Sequence, residues 1–139
     1  MTTQPAAMKR LLVATLAAMG TLWLLGFLVS LAGLGSTAVN APVVNQIDPV
    51  NLLTTTLAMG VGGYLDGKRF IGVAPAIMVM LWFAIVLVLY QIAKPVQPDA
   101  LAHILAYNRV QIVMSLLAAC AGAAIGVWLR FKRPPLQAT

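Results

Sequence analysis

Few groups in this chain have chemical reach. Nine Lys and Arg stand against three acidic residues, all of them aspartates: Asp48, Asp66 and Asp99. There is one histidine, His103, and one cysteine, Cys120. With no glutamate and the aspartates scattered, general acid–base work has no paired carboxylates. A lone histidine cannot supply bis-histidine haem ligation, and one His with one Cys falls short of a four-ligand zinc site. Cys120 lies within an apolar run, where a thiolate is disfavoured and the thiol inert. Gly60-Val61-Gly62-Gly63 follows no strand, so it does not read as a phosphate loop. We expect a chain with no catalytic residues, no cofactor and no metal.

What remains is hydrogen bonding and one ion pair. Asn51 and Thr55 are four residues apart, and Asn108, Gln111 and Ser115 recur at three and four, so each set shares one helical face. Asp48 precedes the first set and Arg109 accompanies the second, which places the two within reach of an ion pair. Two readings of these seven residues stand side by side. They are glue between helices, with Asp48 and Asp99 as N-caps and Arg109 reaching the headgroups. Alternatively they line a polar pocket for a solute or partner, since ionisable groups near a bilayer core usually turn inward to a site.

The elements that must carry these groups follow from composition. Hydrophobic residues make up 61% of the 139 and charged residues only 9%. A soluble domain has about a quarter of its residues charged, so this chain cannot coat itself against water. Disorder is excluded by the apolar content, and a disulfide scaffold by the single cysteine. We expect an all-α integral membrane protein, a single domain over 1–139 with four spans packed as a small bundle.

The first apolar run covers 11–34. A cleaved signal peptide is its competing reading, but the run exceeds the usual ~7–15 residues of a signal core. Asp48-Pro49 is a helix start, an N-cap followed by a proline at the first position. It opens a short second span, 49–65, with an alternative start near Val43 and a break at Pro49. The third span, 70–93, carries Pro75 near its start, where proline is tolerated. A fourth helix runs unbroken from 100 towards Pro134, longer than a core of ~30 Å. Its membrane part is expected at 110–131, with 100–109 projecting or lying in the interface.

The positive charges sit at the edges of these runs, not in a stripe, which argues against nucleic acid as a partner. Seven of the nine fall at the N-terminus, between spans two and three, and at the C-terminus; Lys94 and Arg109 fall on the other side. Both termini are therefore expected in the cytoplasm, in a bacterial inner membrane by composition.

Small residues should set the packing. Ala118, Gly122 and Gly126 recur every four residues, and Ala58 pairs with Gly62 beside Gly60 and Gly63. These faces serve either the bundle itself or a homodimer. A shift of 64 also matches Leu52-Leu53 with Leu116-Leu117, Gly62 with Gly126, and Lys68-Arg69 with Lys132-Arg133. That suggests two repeated hairpins, against the alternative that apolar helices with basic ends look alike.

Three functions fit. The first is binding another membrane protein, as an accessory or assembly subunit or an immunity-type protein; in size and topology alone the chain is similar to immunity proteins against pore-forming toxins. The second is a small oligomeric transporter or channel with its polar site between spans two and four. The third, ranked last, is a lipid-modifying enzyme with a partner-supplied site.

Overall fold

The computed structural model describes residues 4–33 and 47–132. Among them are four helices: α1 (Gln4–Leu31), α2 (Pro49–Asp66), α3 (Lys68–Ala93) and α4 (Ala100–Lys132). Three are long and apolar enough to cross a membrane, over Ala7–Leu31, Lys68–Ala93 and Ala100–Lys132. The 18 residues of α2 extend about 27 Å at 1.5 Å per residue, just under a ~30 Å core.

Residue size is sorted in a way that suits lipid. The buried apolar residues include Ala14 and Ala18 of α1, Met59 of α2, Phe70, Ala74, Ile77 and Met78 of α3, and Ala119 and Ala123 of α4. Not one leucine among the described residues is buried, whereas Trp23 is 83% exposed and Met80 73%. In water the hydrophobic effect would turn such an arrangement inside out. In lipid, tails are as apolar as leucine and helices gain by close backbone approach, so small residues belong inside.

The two central helices are α2 and α4, with α1 flanking α2 and α3 flanking α4. The central pair runs parallel and level. Asp48 bonds Gln111 at one end, 63 residues on, and Leu65 bonds Arg130 at the other, 65 residues on. The match at a shift of 64 thus relates residues at the same height on two neighbouring helices.

Local chemistry explains the boundaries. Asp48 Oδ1 accepts from the N–H groups of Val50 (3.0 Å) and Asn51 (3.1 Å), with Pro49 in the first turn. This satisfies two of the donors a helix start leaves orphaned. At α1 the chain ends in a turn with Gly33 at φ +67°, a left-handed helix end. Leu34 and nearly all of the first loop, including Val43, lie outside the described residues.

Three expectations need correcting. Pro75 lies in the interior of α3, whose first residue is Lys68, so the Ile71 carbonyl lacks its usual helical donor. The second turn is also tighter than Asp66-Gly67-Lys68-Arg69 suggests, because Gly67 alone separates α2 from α3. Finally, the start of α4 is held by backbone bonds, Ala100 N–H to the Gln97 carbonyl and His103 N–H to the Asp99 carbonyl. The exposed Asp99 carboxylate makes no capping bond among the described residues.

Gly67 has φ +81° and ψ −144°, a region essentially restricted to glycine. A Cβ there would also stand 3.1 Å from Arg130 Nη1. Gly67→Ala is expected to cost about 1–3 kcal/mol, read as a lower unfolding midpoint of the purified protein in mild detergent. Gly72→Ala, where a Cβ would meet nothing within 4 Å, should leave that midpoint unchanged or raise it slightly.

Candidate functional site

The contact between α2 and α4 is made backbone to backbone. A Cβ on Gly122 would run into the Thr56 carbonyl, and one on Gly126 into the Gly60 carbonyl and the Tyr64 nitrogen. A Cβ on Gly63 would strike the Ala123 carbonyl. Backbone atoms cannot step aside, so these glycines set the interaxial distance. Ala58 is buried, but Gly62 turns to α3, where its missing Cβ makes room for the Phe70 ring. Ala118 is only half-buried, and Ala119 is the fully enclosed residue beside it. Gly62 and Gly126, matched by the shift of 64, therefore touch different things.

Polar groups gather at the end of this contact where α2 begins. The backbone N–H of Asp48 donates to Gln111 Oε1 at 3.1 Å. Gln111 is 8% exposed, and its Nε2 is buried with no hydrogen-bond partner. Asn51 is exposed; its side-chain oxygen accepts from Thr55 at 3.5 Å, and its carbonyl from Thr54 at 2.9 Å. Thr56 returns its hydroxyl to the Leu52 carbonyl at 2.8 Å. Asn108 is likewise tied to its own helix, donating to the Ile104 carbonyl at 2.9 Å.

Ser115 is drawn the other way, towards α3. The Trp82 indole N–H donates to Ser115 Oγ at 2.7 Å, and that hydroxyl donates onward to the Ile112 carbonyl at 2.9 Å. Spacing along α4 does not reveal this bond. The available signal was an indole in the middle of an apolar run, since an N–H in hydrocarbon must find an acceptor.

Among the described residues, the seven polar residues are drawn to different partners. Gln111 is level with Asp48, Ser115 serves α3, and Asn108 serves its own backbone. The expected Asp48–Arg109 ion pair does not form among the described residues. Arg109 precedes Gln111 by two residues, about 200° round a helix, so when Gln111 faces α2 the arginine faces away. Asp48 Oδ1 is meanwhile engaged in capping.

The opposite end collects basic groups. Lys9, Arg10 and Arg130 line a cleft of about 410 Å³ with Val13 and Leu65. Arg130 Nη1 donates to the Leu65 carbonyl at 3.0 Å. Lys132 Nζ lies 3.8 Å from the Trp128 ring centre and Lys68 Nζ 5.7 Å from that of Phe131. Aromatic rings beside cations at a helix end are what a membrane–water interface favours.

The Trp82–Ser115 bond is open to a direct test. Trp82→Phe and Ser115→Ala should each destabilise the detergent-solubilised protein, with a double-mutant coupling of about 0.5–2 kcal/mol. Additive effects of the two substitutions would show that the bond contributes nothing.

Compared with known proteins, the chain matches no family model, no curated protein and no solved structure.

Proposed function

We propose that this chain is a four-span protein of a bacterial inner membrane, with both termini in the cytoplasm, and that it works by binding another membrane protein. An accessory, assembly or immunity-type role fits that description. The observation that carries this reading is how the interior polar groups are used. Ser115, Trp82, Thr54, Thr56 and Asn108 each bond within the bundle or to their own helix, which is the behaviour of glue. No group of three or more His, Cys, Asp or Glu gathers among the described residues, and the chemistry on the chain favours a non-catalytic role.

Charge supports the orientation. Lys9, Arg10 and Arg130 share one cleft, and Lys68 and Lys132 lie at the same end. Lys94 and Arg109 belong to the far side, beyond α3 and on the first turns of α4. An excess of Lys and Arg on one side marks the cytoplasmic face. On this reading α2 is the fourth span, short and rich in Thr and Gly because its neighbours cover it.

A second reading, a small oligomeric transporter or channel, is favoured by one observation, the buried and unpartnered Nε2 of Gln111. Two measurements separate the readings. Purified protein in liposomes should be silent in a flux assay, and a tagged chain should co-purify with a single membrane partner. Charge reversal at the exposed Lys94 and Asp99 should reduce that recovery while insertion stays normal. Flux that is lost in Asn51→Leu or Gln111→Leu would instead establish transport, and unchanged recovery of the partner would refute the contact through this loop.

A further inference from the structure

Three helices contribute to the basic cleft: Lys9, Arg10 and Val13 from α1, Leu65 from α2 and Arg130 from α4. Among the described residues its cations form no ion pair, and Lys9, Arg10 and Arg130 therefore stand together without a carboxylate on any of them. The nearest acid in sequence is Asp66, next to Leu65; its Oδ2 is buried without a hydrogen-bond partner. Counting Asp66 as a full negative charge still leaves the cleft net positive, three cations against one acid.

The cleft is shaped as well as charged. Gly67, without a Cβ, leaves space at 3.1 Å for Arg130 Nη1 to lie over the α2–α3 turn. The bond from Nη1 to the Leu65 carbonyl fixes the guanidinium at the C-terminal end of α2. Since guanidinium has five N–H donors, several remain for a ligand. Val13 and Leu65 add an apolar wall next to the cations. At about 410 Å³ the cleft is broad and open on one side, a form suited to a headgroup lying at the surface rather than to an enclosed ligand.

From this geometry we infer that the cleft between α1, α2 and α4 binds the phosphate of an anionic glycerophospholipid, with Lys9, Arg10 and Arg130 on the headgroup and Val13 and Leu65 against the first part of the acyl chains. The lipid, rather than free phosphate, is the occupant because cations and apolar wall adjoin at the end of the helices, the depth at which headgroup meets hydrocarbon. The inference rests on the chain spanning a bilayer and not on the protein partner proposed above.

The test uses the full chain purified in a neutral detergent, with unfolding followed by tryptophan fluorescence. Phosphatidylglycerol or cardiolipin should raise the midpoint saturably, whereas phosphatidylcholine and inorganic phosphate should not. Lys9→Gln with Arg10→Gln, at two exposed side chains, should weaken the apparent lipid affinity about fivefold per charge removed, and adding Arg130→Gln should weaken it further. Lys94→Gln with Arg109→Gln, at the other end, should leave it unchanged. An equal rise with phosphatidylcholine, or an undiminished response in the Lys9/Arg10 variant, overturns the proposal. So does a rise with inorganic phosphate matching that of lipid. Because partner recovery and flux are absent from this assay, its failure is distinct from failure of the binding role.

Discussion

The structure depends on how closely the backbone of α4 can lie against that of α2. Gly122 and Gly126 meet the carbonyls of Thr56 and Gly60, and Gly63 meets that of Ala123. Between helices surrounded by hydrocarbon there is little hydrophobic gain, and dispersion falls off steeply with separation. A single methyl group at any of these positions would push the axes apart along the whole contact. The same separation allows a bond at each end, Asp48 to Gln111 and Arg130 to Leu65. Two helices thus locked level and parallel form a frame. On it α1 rests through Ala14 and Ala18, and α3 is pinned through Trp82 and Ser115.

That frame also explains where polar cost is tolerated. Leaving a buried polar group unpaired costs about 1–3 kcal/mol, and two such atoms, Gln111 Nε2 and Asp66 Oδ2, stand among the described residues. Gln111 lies level with the first residue before α2, and Asp66 is the last residue of α2. Between them the contact contains glycines, alanines and hydroxyls that return to their own carbonyls. The hydroxyls in the middle are thus satisfied, and the unmet hydrogen-bonding capacity among the described residues is left at the two ends.

How much of this was legible in the residues depends on the kind of signal. Asp48-Pro49 announced the start of α2 because capping is local, and the structure places the cap there. The unbroken run from Ala100 announced one long α4, which extends to Lys132. The face of α2 that meets α4 was not legible. With Ala58, Gly60, Gly62 and Gly63 all small, several rotations of the helix offer close contact, and the choice fell to Phe70, which occupies the space at Gly62. The Asp48–Arg109 pair failed for a related reason: proximity in height says nothing about direction round the axis. Trp82 was overlooked because its partner lies 33 residues away, beyond any periodicity.

One asymmetry follows from where α1 is fastened. Its buried residues, Ala14 and Ala18, lie towards the basic end, and beyond Ala18 no α1 residue is buried. A Cβ on Gly20 or Gly26 would meet nothing within 4 Å. Residues 19–31 therefore present their surface mainly to the surroundings, with Trp23 and Leu31 the most exposed of their large apolar side chains. The attachment of α1 is strongest near its N-terminal half, and the cations of Lys9 and Arg10 lie just outside that attachment, across the cleft from Arg130. Left bare, three like charges held by two helices, α1 and α4, repel one another and weaken that attachment. An anion between them reverses the sign of the interaction and fastens α1 to the central pair at the end where its packing is already closest.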